Sequence, residues 1–347
     1  MRLARAGLVA LALAFAIAPL PARLVEAWYS RNLYPSIQAT LTPLSNRTSI
    51  SLLDLAIVIA AALMLLSFLR RKRSSGLVRA LVRQLIWLVT FSAAAYLLFL
   101  ATWGLNYRRV PLEQKIEFDR ARVTRDGVRR LAEHAARTLN ATYARAHSPA
   151  QSGPSLEEAF AAAQRDLGST RLAVPGVPKR SALQWYFRMA AIDGMVDPYF
   201  LEIILNPDAL PFERPFITLH EWTHLAGYAH ETEANFVAWL ACLRGDDLAK
   251  YSGWMAIYEH AWASLPEADR AAIAALLDPG VKEDLRASAA RYARSKPVVR
   301  ITARNVYDRY LRANRVDEGV AAYSAVVRLI VGAGLESGET PRLRSVP

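Results

Sequence analysis

The chain reads as a mainly α protein: three N-terminal transmembrane helices, then a mostly helical domain with a small sheet outside the bilayer. Three observations carry that expectation. Apolar runs cover 6–22, 52–69 and 85–104, and about twenty consecutive apolar residues suffice to cross the hydrocarbon of a bilayer. Beyond residue 104, apolar positions recur with a helical period over most of the chain. One short β-rich stretch, 200–206, closes on Pro207 and interrupts that pattern.

Charge orients the first part. The 347-residue chain has a formal net charge of +12, of which residues 1–104 carry +9 and residues 105–347 only +3. The loop 70–83 holds Arg70, Arg71, Lys72, Arg73, Arg79 and Arg83, which places it in the cytoplasm by the positive-inside rule. The N-terminus is then inside, and 105–347 lies on the periplasmic or extracellular face of a bacterial cytoplasmic membrane. Arg108 and Arg109 pull the other way but are outnumbered. Pro19 and Pro21 would also suit the end of a signal peptide; with two more spans following, an uncleaved helix is expected. The expected partners are membrane lipids and a protein or peptide. A nearly balanced 105–347 offers no basic face, so no nucleic-acid partner is expected. Cys242 is the only cysteine; it excludes an intramolecular disulfide and reads as a core residue.

The elements after the third span follow in order. Trp103 and Tyr107 read as interfacial aromatics. Residues 113–146 have helical periodicity, and Ser155 with Glu158 makes a capping box for the next helix. Residues 174–180 are rich in Pro and Gly and read as a turn. In the strand 200–206, Glu202 and Asn206 share one face and read as solvated. Amphipathic helices are expected at 231–243, 253–263, 266–277, 281–295, 305–314 and 318–331.

The chemistry concentrates in His220-Glu221-Trp222-Thr223-His224. Residues four apart on a helix share a face, so His220 and His224 aim two imidazoles at one point. That is the ligand spacing of a tetrahedral zinc. Glu221 stands where its carboxylate takes a proton from a water attacking a carbonyl. Three residues compete to be the third ligand: His230, Glu231 and Glu233. His230 completes H-x-x-x-H-x-x-G-x-x-H with Gly227, a metzincin spacing. However, the methionine such a site needs in a turn has only Met255 to supply it, and 253–257 reads as helix. His134, His147 and His260 stand alone and read as surface or core residues. Tyr307, Tyr310 and Tyr323 could each donate to an oxyanion or simply pack.

Five segments together resemble a family of uncharacterised bacterial membrane-anchored, zincin-like proteins of about this length. They are Trp103-Gly104-Leu105-Asn106-Tyr107, Glu202 to Pro207, His220 to Tyr228, Glu231 to Phe236, and Tyr307 to Leu311 with Tyr323 beyond. The resemblance implies a zincin-like metallopeptidase domain over 105–347, of the gluzincin type, with Zn2+ as cofactor. It implies Glu231 as the third ligand beside His220 and His224, and Asn235 one turn on as the residue supporting a ligand. Glu233 and His230 remain the alternative ligands by spacing, although the family usually has another residue at the position of His230, and Tyr323 is the candidate oxyanion donor. In zincins, a strand before the metal helix often forms the edge along which an extended peptide lies, which would be 200–206 here. The implied activity is hydrolysis of peptide bonds outside the membrane. The competing expectation is a non-catalytic membrane protein that uses a zinc-bound domain for structure or partner binding.

Overall fold

The computed structural model describes residues 2–314 and 325–344, and the described chain is mainly helical with one small mixed sheet. Two helices are long and apolar enough to cross a membrane, Leu52–Arg70 and Leu77–Thr102. The second starts well before residue 85, because Gly76 alone separates the two helices. The expected span 6–22 is interrupted. Its helix, Arg2–Ile17, stops short of Pro19 and Pro21, and the chain resumes as Ala22–Ser45 at an angle of 110°. Proline lacks the N–H and disfavours helical backbone in the residue before it, so the helix breaks there. The number of candidate spans reaches three only if this bent pair counts as one.

The Ala22–Ser45 helix does not hang between spans as a loop. It packs on the domain that follows. Tyr34 is 2 % exposed and donates to Leu225 O at 2.8 Å. Thr42 donates to Leu201 O at 2.9 Å, and Gln38 brackets the backbone of Val174 with both ends of its amide. Glu26 accepts from Arg109 at 3.1 Å and from Lys115 at 2.7 Å. These contacts cross residue 104, so the membrane region and the domain share a core.

Two apolar clusters build that core. One gathers Tyr34, Phe99, Trp103, Phe160, Ile203 and Trp222. The other gathers Leu131, Leu139, Trp239, Tyr251, Ile257 and Ile330. The helix Glu231–Cys242 runs between them and feeds both, with Ala238 and Cys242 on one side and Val237 and Trp239 on the other. A helix that is apolar nearly all round is a buried one. Cys242 is fully buried, as expected, and Gly253 lets the helix Asp247–Ala263 approach it closely. Met255 lies within that helix, so no methionine turn forms there.

Several boundaries moved. Helix 113–146 is shortened to Arg125–Ala146, because the Thr124 hydroxyl caps it by accepting from Gly127 N. The capping box of Ser155 and Glu158 is present. The expected 305–314 is the second half of Pro297–Ala313. The expected 318–331 lies partly outside the described residues and continues as Ala325–Ala333.

The sheet has three strands, β1 (Pro178–Lys179), β2 (Gly194–Asp197) and β3 (Glu202–Leu205), in the order β1-β3-β2. β3 is parallel to β1 and antiparallel to β2, with Gly194 opposite Leu205 and Asp197 opposite Glu202. The strand expected at the edge is therefore the central one. Its backbone is paired on both sides, and β2 is the edge beside the helix Arg214–Leu225. Nor is Glu202 solvated. It is fully buried, and its carboxylate accepts from Ser51 Oγ at 2.7 Å and from Leu52 N and Leu53 N at 3.0 Å. Lys179 Nζ lies 3.6 Å away. Glu202 thus supplies the anion at the N-terminus of the Leu52 helix, where unpaired N–H groups and the helix dipole favour one. Asn206 is buried too, bonding Ile192 O and Asp208 N.

Glu202→Ala should leave Lys179 buried without its anion and the helix end uncapped. Breaking a buried pair in this way costs about 3–5 kcal/mol. Thermal unfolding in detergent should show a large loss for Glu202→Ala, partly recovered by adding Lys179→Met. An unchanged midpoint would refute the anchoring role.

Candidate metal centre

The helix Arg214–Leu225 carries the two histidines. Its apolar stripe of Leu219, Trp222 and Leu225 is buried in the cluster that holds Ile203 and Phe160. Trp222 also donates to Gly176 O at 2.8 Å. This fixes the rotation of the helix, and His220 and His224 come out on the side facing Glu231. The two Nε2 atoms lie 3.1 Å apart. Glu231 Oε2 is 3.3 Å from His220 Nε2, and its Oε1 is 3.8 Å from His224 Nε2.

Backbone conformation sets the tautomer of His224. Gly227 takes φ +84°, a left-handed turn that ends the helix at little cost for glycine. The turn brings Tyr228 O back to His224 Nδ1 at 2.8 Å. A carbonyl only accepts, so Nδ1 carries the proton and Nε2 presents its lone pair to the cluster. A Cβ at residue 227 would also lie 3.1 Å from the Tyr34 ring.

The carbonyls at the end of this helix are capped by side chains from the membrane-proximal region. Trp103 Nε1 donates to His224 O at 2.9 Å, Tyr34 to Leu225 O, and Arg109 to Gly227 O at 2.9 Å. Trp103 and Tyr107 are 6 % and 5 % exposed, so both pack inside the domain rather than lie free at an interface. The Trp103 ring meets the His224 ring edge-on at 6.1 Å.

The three rivals for third ligand occupy different places. Glu231 faces both imidazoles. Glu233 Oε1 accepts from Leu112 N at 2.6 Å. His230 turns its Nε2 to Tyr107 O at 3.1 Å. Among the described residues, His220, His224 and Glu231 form the one group whose ligand atoms converge, all within 4.8 Å of one another. Asn235 is buried within hydrogen-bonding reach of His220.

The four ionisable groups here divide into an ion pair, His220 with Glu231, and two groups whose charge burial disfavours, His224 and Glu221. Burial opposes a charged His220, but the bond and charge of Glu231 outweigh it and push the imidazole up to about 9. Glu231 would rise by burial, yet His220 holds it down to about 2. Burial, with the charge of His220 behind it, keeps His224 down to about 4. Burial pushes Glu221 up to about 8 against the pull of His220. The Glu221 carboxyl lies against Gly194 of β2, where a Cβ would sit 2.5 Å from its Oε1. Glu221 Oε2 is buried without a partner.

Tyr307 reaches the cluster from the helix Pro297–Ala313 and donates its hydroxyl to Glu231 Oε1. Tyr310 stacks on Tyr307 and meets Phe99 and Tyr107 edge-on, a packing role. Tyr323, expected as the oxyanion donor, lies outside the described residues. Of the lone histidines, His134 and His147 lie in other contacts, and His260 is near enough to His220 to feel its charge. His134 packs on Trp254, His147 bonds Tyr143 O and Asp284, and burial lowers His260 to about 4. Sequence reasoning did not single out Gly194 or Tyr34, and neither belongs to a local pattern. It read Trp103 as an anchor in the membrane interface. The signal available was its place in the Trp103–Tyr107 motif, conspicuous but silent about its partner.

Residues 29–331 match the family described as "Protein of unknown function (DUF3810)", and the chain belongs to it. No curated protein and no solved structure matches the chain.

Gly227→Ala should strain the left-handed turn, at a cost of about 1–3 kcal/mol, and loosen the Tyr228 carbonyl from His224. Lower thermal stability together with weaker metal retention is expected. A variant as stable as the parent and equally able to bind zinc would overturn the coupling.

Proposed function

We propose that this DUF3810 member is a membrane-anchored zinc metallopeptidase, hydrolysing peptide bonds of protein or peptide substrates on the outer face of a bacterial cytoplasmic membrane. The observation that carries the reading is the convergence of His220, His224 and Glu231 beside a buried Glu221. Tetrahedral ligands with bonds of about 2.0–2.1 Å stand about 3.3 Å apart. The imidazole nitrogens stand 3.1 Å apart and Glu231 Oε2 stands 3.3 Å from His220, close to that spacing, and one ligand atom from each of the three residues lies within 4.8 Å of the others. Two imidazoles and one carboxylate leave a fourth position for substrate or water, as hydrolytic zinc sites do. When bound, zinc would supply Lewis acidity at this point.

The roles of the chain's own groups follow from where they sit. Glu221 takes a proton from the attacking water and passes it to the leaving amine. Its carboxylate is held by Gly194 on one side and the metal helix on the other. Glu231, once released by Tyr307, would be free to hold the metal with His220 and His224, and the Tyr307 hydroxyl would then be available as a donor for the developing oxyanion. β2 is the strand edge nearest Glu221, so an extended peptide would align there. A zinc-holding but non-catalytic protein is the second reading. It draws on the Tyr307 contact, which closes the site against Glu231. Against it stands Glu221, since a structural site has no use for a buried carboxyl beside its ligands.

The full chain purified in detergent should bind about one zinc, and His220→Ala or His224→Ala should abolish that binding. Glu231→Gln should weaken it and His230→Ala should spare it. Asn235→Ala should weaken it by about 10–100-fold. Glu221→Gln should keep zinc while losing roughly 10²–10⁴-fold in hydrolysis. Zinc retained without both histidines, or activity untouched in Glu221→Gln, would remove the peptidase reading.

Orientation has its own check. A phosphatase fused after residue 347 should be active, and a cytoplasmic reporter fused there silent. The reverse pattern would place the site inside the cell.

A further inference from the structure

The two spans give independent measures of where the bilayer ends. From Arg83, the last charge on the helix Leu77–Thr102, twenty residues lead to Trp103. At 1.5 Å per residue that is about 30 Å, the thickness of the hydrocarbon. From Arg70, eighteen residues lead back to Leu52, about 27 Å by the same rise. Both measures end on residues that touch the site-bearing elements. Trp103 bonds the carbonyl of His224, itself one of the three converging residues, with ring centroids 6.1 Å apart. Leu52 N bonds Glu202 of β3, and Asp54 accepts from Ser181 Oγ and Ala182 N just after β1. Phe99, one turn inside the span, meets Tyr310 on the helix that carries Tyr307.

No stalk separates the span from the site. The helix Arg214–Leu225 and the strand β3 are each pinned to a span end by buried contacts, so the two histidines cannot rise from the bilayer surface without unpacking the core. A protein on a flexible tether samples distant chains. This one reaches only what comes within roughly 10–15 Å of the headgroups, a layer that an extended chain of about 3–5 residues crosses.

We infer that the substrates are themselves membrane-anchored polypeptides, cut in the segment immediately outside their own span. The inference rests on the peptidase reading and narrows its substrate class. It also gives a use to the closed state: a site permanently at the surface of a crowded membrane is covered by Tyr307 until a chain is presented to it.

Two measurements test this with the full chain reconstituted in lipid nanodiscs. The first needs no activity. A nitroxide on Tyr307→Cys is placed by its relaxation of the headgroup phosphorus; Cys242, fully buried, does not compete for the label. A label within about 15 Å of the phosphates is expected from the span lengths. One lying beyond about 25 Å overturns the inference whatever the activity. The second uses a single-span polypeptide whose outer segment of about 40 residues contains every residue type, co-reconstituted or released from its span. Cuts confined to the first ten or so residues, with at least a tenfold loss of rate on the released segment, support the proposal. Cuts spread along the segment, or equal turnover of the released form, overturn it. A label at the headgroups with zinc bound and neither form cut removes the peptidase reading itself, and the substrate class with it.

Discussion

The carbonyl end of the helix Arg214–Leu225 is the point on which the rest depends. A helix ends with carbonyls that have no partner within it, and here the end is buried. Two of those acceptors are met by Trp103 and Tyr34, and Arg109 holds the Gly227 carbonyl in the turn just beyond. All three donors come from outside the metal helix's own neighbourhood in sequence: one from the end of a membrane span, one from the Ala22–Ser45 helix, one from the stretch just beyond the span. Their hydrogen bonds fix the depth at which His224 sits and, through the turn at Gly227, the direction of its free nitrogen. The membrane region is therefore part of the site's scaffold, not a tether for it.

The same logic governs the acidic residues. Two buried carboxylates have partners of opposite sign or a set of N–H groups. Glu26 holds Arg109 and Lys115, and Glu202 holds Lys179 and the first turn of a span. Desolvating such groups unpaired is costly, so they work as pins between segments far apart in sequence. Glu221 breaks the pattern. One of its oxygens is buried with no partner, and its charge is disfavoured. A group held in an unfavourable state beside two histidines and a carboxylate is the usual mark of chemistry rather than of structure.

Tyr307 gives the cluster two states in principle. With its hydroxyl on Glu231, the acceptor oxygen is engaged and the cluster is covered. The helix that bears it is among the least buried in the domain, with only Ala303 and Leu311 of its residues inside. Few buried contacts mean a low cost of local displacement, so movement of this helix is the least expensive way to uncover Glu231.

Much of the architecture was legible in the chain. Two helices long and apolar enough to cross a membrane followed from length and hydropathy, which need no tertiary information, and the helical period located most of the later helices. His220 and His224 were legible as a pair because helix geometry alone brings residues four apart together. What the chain could not disclose depended on contacts between distant segments. The expected span 6–22 ran through Pro19 and Pro21 and missed the break there, and nothing local showed that the following helix would pack under the helix Arg214–Leu225. Glu202 read as solvated because alternation in a strand shows which residues share a face, not whether that face meets water or the end of a span. β2 has only four residues, too few for a period, and pairing alone created it. His230 stands in extended backbone just before the helix, and between Glu231 and Glu233 a difference of about 100° per residue decides which side chain meets the imidazoles; only the packing of that helix between two cores sets the angle.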